Sequence, residues 1–373
     1  MSPHPTTPAV APAAEAPAAE ATAGGATAAG AVPFAGVLDW LTEPGAPATV
    51  RAPELADAAA ARDWLAEHRA ELRAGLDRFG AVYVSGLPVR SVDDFAVVRD
   101  ELVRRATPYR EKATPRSDFG SGVFSSTDLP AAQAIRPHNE NSYTLTFPGL
   151  LLFGCLTAPE EGGATPVTDC REVLRSLPAA LVERMRASGW VLTRTYSETL
   201  SVAWQSAFGA TTREEVEAYC AENAIACAWD EEGTLRTSQV RPGIVRHQQT
   251  GDEVWFNHMA FWNRFSLDEE LREVLLDELG PDGLPFDTGL GDGVPLTEAD
   301  LAAVNAAYER ATVRRAWQPG DLLIVDNVLT AHGRDPFRGD RRIVVAMGDP
   351  VAVADCAPTV APRAGTVAAV SRG

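Results

Sequence analysis

Apolar residues recur at helical spacing through residues 53–79, where Leu55, Ala58, Ala59, Trp64, Leu65, Leu72 and Leu76 mark one face. Pro53 suits a first turn, where a missing N–H costs nothing, and Gly80 suits the stop. The pattern then changes. Ala81-Val82-Tyr83-Val84-Ser85 is a continuous apolar run closed by Gly86-Leu87-Pro88, which predicts a buried strand and a turn. A second helix is predicted over residues 92–105, opening near Asp93-Asp94. Further strands are predicted at residues 150–156, 165–169, 191–196, 254–257, 322–327 and 341–347. Further helices are predicted over 174–188, with Pro178 near a helix start, and over 213–223, 267–279 and 298–311, the last capped by Thr297. Many short strands with a few helices and long loops suit a β-barrel or sandwich core decorated by helices better than regular βαβ alternation.

Residues 1–32 lack this patterning. They are almost all Ala, Pro, Thr and Gly, and no aromatic residue precedes Phe34. Such a stretch buries too little apolar surface to order itself, so a disordered tail at 1–32 and a single domain over 33–373 are expected.

Composition narrows the partners. A net charge of -18 repels phosphate backbones and anionic lipid, which argues against nucleic acid and against a membrane surface. There is no run of 18 apolar residues and no basic leader with an apolar core. Cys155, Cys170, Cys220, Cys227 and Cys356 form no CxxC pair, so reduced thiols in a cytoplasmic protein are expected and a structural zinc is not. No GxGxxG follows a strand and no GxxxxGK[ST] occurs, so a nucleotide is a weak expectation. A small-molecule substrate is expected, and the chain is compatible with a homo-oligomer.

One constellation carries chemistry. His138 and Glu140 stand two positions apart, on one side of an extended segment. A second imidazole returning from downstream would complete two histidines and one carboxylate on one face of a metal, the ligand set of non-haem Fe(II) oxygenases. His4 lies in the tail and His68 among charges on the first helix, which leaves His138, His247, His258 and His332 for two imidazole positions. Spacing alone does not choose between them.

Flanking residues add a family resemblance. Arg136-Pro137-His138-Asn139-Glu140-Asn141-Ser142-Tyr143 resembles the metal-binding stretch of the taurine dioxygenase-like (TauD/TfdA) family of Fe(II)/2-oxoglutarate-dependent dioxygenases. Glu160 to Pro166 resembles that family's next turn, and Val254 to His258 also fits. Gly320 to Asn327, His332-Gly333-Arg334 and Arg341-Arg342 resemble its C-terminal signature. The blocks occur in order over roughly residues 79–350. The resemblance implies an α+β fold with a double-stranded β-helix (jelly-roll) core and flanking helices. It implies His138, Glu140 and His332 as iron ligands and catalytic residues. It further implies Arg342 and Thr165 for the distal carboxylate of 2-oxoglutarate, with Arg341 the near alternative, because strand alternation lets only one of two adjacent residues face a pocket.

The implied reaction consumes 2-oxoglutarate and O2, releases succinate and CO2, and hydroxylates an unactivated C–H bond. The blocks look closest to members of secondary metabolism, which implies a small amino-acid-like or peptidyl substrate, free or carrier-protein-tethered. Desaturation, cyclisation or other oxidative rearrangement is the alternative outcome, and a non-catalytic binding protein is a third reading. Glu140, where many members have Asp, argues against halogenation. Four positions beyond Arg342 stands Ala346, where taurine-oxidising members have a second arginine, which argues against a sulfonate substrate. Ser125, Ser126, Thr127, Arg136, Asn141, Ser142 and Tyr143 are candidate substrate contacts, each equally readable as a turn or surface residue. Asn257 and His258 are expected near the pocket, whereas Trp255, Phe256, Phe261 and Trp262 are read as core.

Overall fold

Strand Leu322–Asp326 explains the architecture best, because none of its five side chains reaches solvent. It lies inside a seven-stranded sheet in the order Trp40–Leu41, Thr49–Arg51, Ala81–Ser85, Leu322–Asp326, Thr146–Thr157, Arg342–Ala352, Val123–Ser125. All neighbours are antiparallel except Thr49–Arg51 beside Ala81–Ser85. Alternate residues face two separate cores. Val82, Val84, Leu150, Leu152, Leu322, Ile324 and Val344 pack with Leu65, Leu72, Leu76, Phe95 and Val98 of the covering helices. Their alternates Ala81, Tyr83, Leu151, Phe153, Leu323, Val325 and Val345 pack inward with Val167 and Trp317. A sheet covered on both faces requires apolar residues at every position, which is why these strands read as unbroken runs. This structure is a computed structural model describing residues 36–107, 110–113, 116–197 and 201–367, and from Leu38 onward these form one unit. The tail expected at 1–32 lies outside the described residues.

A four-stranded antiparallel sheet holds Thr312–Val313, Val167–Asp169, Thr330–Arg334 and Ile135–His138 in that order. A third sheet, in the order Ala226–Trp229, Leu235–Arg241, Trp190–Tyr196, Phe286–Leu290, contains three strands absent from the sequence reading. Those strands carry Arg236, Gln239, Arg241 and Asp287 among their apolar residues, which masks their periodicity.

The first predicted helix is two helices, Ala58–Glu67 and Arg69–Phe79, broken at His68. It starts at the Asp57 cap and not at Pro53, because the Asp57 carboxylate accepts from the N–H of Ala60. Gly80 ends it at φ 74°. Likewise 174–188 is two helices, Cys170–Ser176 and Ala179–Ser188, parted at Pro178. The second helix opens at Ser91, whose hydroxyl and Asp94 form a reciprocal cap. All five cysteines are free. No helix among the described residues is long and apolar enough to cross a membrane.

Candidate metal centre

Strands Ile135–His138 and Thr330–Arg334 pair antiparallel with His138 opposite His332. This register puts two imidazoles side by side, with ring centroids 4.6 Å apart. Glu140 does not reach them by strand alternation, because the strand ends at His138 and Glu140 lies in the following turn. Asn327 shapes that turn. Its side-chain oxygen accepts from the Glu140 N–H at 2.7 Å, and its amide donates to the carbonyls of Glu140 at 2.9 Å and Pro148 at 2.7 Å. The Asn139 amide in turn donates to the Asn327 carbonyl at 2.8 Å. Asn141 completes the turn at φ 53°, a conformation that asparagine tolerates.

The Oε2 atom of Glu140 lies 3.9 Å from Nε2 of His138 and 3.7 Å from Nε2 of His332. One donor atom from each of the three residues lies within 4.8 Å of the others, and this is the only such group of histidine, cysteine and acidic residues among the described residues. All three side chains are buried.

The donor set suits a divalent ion. Nδ1 of His138 donates to the Arg136 carbonyl at 2.9 Å, which leaves the Nε2 lone pair facing the centre. Burial pushes both His138 and His332 below the ordinary imidazole value, His332 strongly with the neighbouring His138 and Arg116 adding to it, His138 against the opposing pull of Glu140. Both shifts favour the neutral imidazole, the form that offers a lone pair to a metal. Arg116 donates to Oε2 of Glu140 at 2.8 Å, the same oxygen that faces the two imidazoles. A lone arginine in the stretch Ala113-Thr114-Pro115-Arg116 carries no motif, and sequence reading missed it.

A chamber surrounds the triad, walled by Ile135, Phe153, Phe261 and Trp262, with Tyr143 and His258 beside them. Phe261 stacks on His138 at 5.2 Å and Trp262 on His258 at 4.2 Å. Phe261 and Trp262 therefore line the chamber while packing with the core, where Trp255 and Phe256 also lie as expected. The short helix Met259–Trp262, packed against strand Ile135–His138, turns these rings toward the metal side. His258 lies outside the triad. Its Nδ1 meets the Ser142 hydroxyl at 2.8 Å, and burial pushes its pKa far down. Asn257 instead accepts from the Met259 N–H at 3.0 Å and is absent from the wall. Ser126 and Thr127 line the chamber, while the Ser125 hydroxyl accepts from the Ser117 N–H at 2.8 Å.

The adjacent arginines are placed opposite to expectation. Arg342 is exposed, its guanidinium 5.5 Å from the Phe119 ring. Arg341 points into the chamber and donates to the Gly163 carbonyl at 2.9 Å, the Ser126 hydroxyl at 3.1 Å and the Thr165 hydroxyl at 3.3 Å. The register shift beside Arg342, where residues 342 and 343 skip a partner on the neighbouring strand, upsets simple alternation. Burial lowers the Arg341 pKa to about 10, with Arg334 the next cause. Among the described residues Arg341 forms no ion pair, and such a cation suits a carboxylate ligand. Thr165 also accepts from the Trp317 indole at 3.2 Å.

Comparison with known proteins bears on the family and the fold. The profile of the family described as "Taurine catabolism dioxygenase TauD, TfdA family" matches residues 42–347. The dapdiamide synthesis protein DdaC of Enterobacter agglomerans is 36% identical over 276 residues, covering 74% of this chain and 84% of that protein. A clavaminate synthase-like protein of Arabidopsis thaliana is 27% identical over 284 residues, covering 73% of this chain and 82% of that one. Among solved structures, AAD-2 in complex with Mn(II) and N-oxalylglycine superposes with a TM-score of 0.50 at 12% identity, covering 87% of this chain and all of that one (100%).

Proposed function

This chain belongs to the taurine catabolism dioxygenase TauD, TfdA family, and from that premise we propose that it hydroxylates an unactivated C–H bond of a small amino-acid-like or peptidyl substrate in secondary metabolism. It is an Fe(II)/2-oxoglutarate-dependent dioxygenase, with O2 as the second cosubstrate. The finer reading rests on the 36% identity to a protein of dapdiamide synthesis. We read the seven- and four-stranded sheets as the two halves of a double-stranded β-helix.

His138, Glu140 and His332 would hold the iron on one face and leave the opposite face to the cosubstrates. Bound iron supplies the O2 activation that is coupled to decarboxylation of 2-oxoglutarate to succinate and CO2. Arg341 would bind the distal carboxylate bidentately with the Thr165 hydroxyl beside it, in the role first expected of Arg342. Phe153, Phe261, Trp262 and Ile135 give the reacting centre an apolar wall that would disfavour water there. Asn327 fixes the Glu140 backbone, so the carboxylate needs little reorganisation to meet a metal. Four positions beyond Arg341 stands Val345, and four beyond Arg342 stands Ala346, both buried, so a sulfonate finds no guanidinium there.

Succinate formation from 2-oxoglutarate across a panel of amino acids, free and carrier-bound, tests the substrate class. Coupling to at least one member is expected, and coupling to none would overturn it. Product mass then separates hydroxylation, a gain of one oxygen, from desaturation, a loss of two hydrogens.

A further inference from the structure

The metal chamber is far narrower than the space beside it, about 40 Å³ against about 660 Å³. On the far side of Ile135, Phe261, Trp262 and Arg334 lies a second cavity of about 660 Å³, and these four residues line both. An amino-acid-like molecule finds room for its body in the outer cavity, against the wall that this cavity shares with the metal chamber.

The outer cavity is also electrostatically unfinished. Arg314 there is neutralised by Glu309 at 3.1 Å and Asp335 at 3.3 Å. The Arg334 guanidinium is spent on the carbonyls of Leu129 at 3.0 Å, Pro130 at 2.6 Å and Gln133 at 2.7 Å. Arg136 is different. It lines this cavity half-buried, and its guanidinium makes no hydrogen bond or ion pair among the described residues. Withdrawing a cation from water without a partner is costly, and an anionic ligand would supply the missing charge. Only Pro137 separates Arg136 from the ligand His138, so an anion held there is tied to the metal-bearing strand.

We propose that the outer cavity is the subsite for the body of the substrate, in which Arg136 binds an oxyanion while the carbon to be oxidised reaches past Phe261. The oxyanion is the carboxylate of a free amino-acid-like molecule or the phosphate of an arm that tethers one. This rests on the amino-acid-like substrate class proposed above.

The test uses the full chain loaded with Mn(II) and 2-oxoglutarate. Equilibrium binding is measured for the N-acetyl amino acids, their C-terminal amides and 4′-phosphopantetheine, on wild type, Arg136→Met and Arg136→Lys. Acids should bind wild type about 10- to 100-fold more tightly than the matching amides. Arg136→Met should erase that preference and Arg136→Lys keep part of it, while Mn(II) affinity stays unchanged in both. Binding of 4′-phosphopantetheine that Arg136→Met abolishes would equally support the subsite and assign the oxyanion to a tether. Equal binding of acids and amides to wild type, with no Arg136-dependent phosphopantetheine binding, overturns it; that comparison needs no variant to fold. If acids and amides drive succinate formation alike, only the subsite falls. If no probe binds or couples, the substrate class falls with it.

Discussion

Glu140 and Glu111 are both buried carboxylates that accept side-chain hydrogen bonds, yet only one is a candidate ligand. Glu140 meets Arg116 at 2.8 Å, and two imidazole Nε2 atoms lie at 3.7 and 3.9 Å. Glu111 accepts from the Tyr219 hydroxyl at 2.9 Å and the Gln239 amide at 3.5 Å, near the charges of Arg241 and Arg194. Every neighbour of Glu111 gives a hydrogen and none offers a second lone pair toward a common point, so the group can be satisfied but cannot chelate. Burial of an acid is thus a poor marker of function by itself, and the neighbouring donor set decides. The two regions are nonetheless linked. The Glu111 carbonyl accepts from Tyr143 at 3.1 Å and Arg194 at 3.3 Å, so this residue staples the third sheet to the stretch leading towards Arg116.

The largest expected effect is at the triad. His332→Ala should lower Fe(II) affinity and succinate formation by at least about 1000-fold, because removing one of three ligands leaves a two-donor site. Near-normal iron binding by titration would show that the ligand assignment is wrong. Next, Arg341→Met should raise the 2-oxoglutarate concentration for half-saturation about 10- to 100-fold, with Arg342→Met changing it less than about twofold. The reverse ranking would return the cosubstrate role to Arg342.

At the contrasting carboxylate the expected change is in stability. Glu111→Ala should cost about 1–3 kcal/mol in a denaturant titration, because it leaves the Tyr219 hydroxyl and the Gln239 amide without their acceptor in a buried site. Iron affinity should stay near wild type, and a loss comparable to that of His332→Ala would mean that Glu111 does more than staple. The smallest effect concerns pH. Burial raises the Glu111 pKa above 4.5, so its contribution to stability is fully present below about pH 4.5 and is lost as pH rises through the raised folded value. Glu111→Gln removes this dependence. The stability of wild type relative to Glu111→Gln should therefore fall with rising pH across that window, and a flat or rising difference would contradict the sign.

Much of the centre was legible before folding. His138, Glu140 and His332 sit within ordered blocks that resemble a known family, and the buried strands announced themselves as apolar runs because both faces of their sheet are covered. The third sheet was harder to see, since Gln239 and Arg241 serve buried hydrogen bonds to the Tyr143 carbonyl and disguise a strand as polar sequence.

The chain by itself determined residue types and their order: two imidazoles, a carboxylate, adjacent arginines and a threonine, each in a recognisable setting. Tertiary structure decided which of four histidines meet, because only the antiparallel register brings His332 to His138. It decided that Arg341 and not Arg342 faces the chamber, since a one-residue slip in pairing reverses a strand's faces. It also brought Arg116 onto Glu140 and left Arg136 unpaired beside a cavity. Neither follows from local pattern, because through-space electrostatics depends on distances that only the packed chain defines.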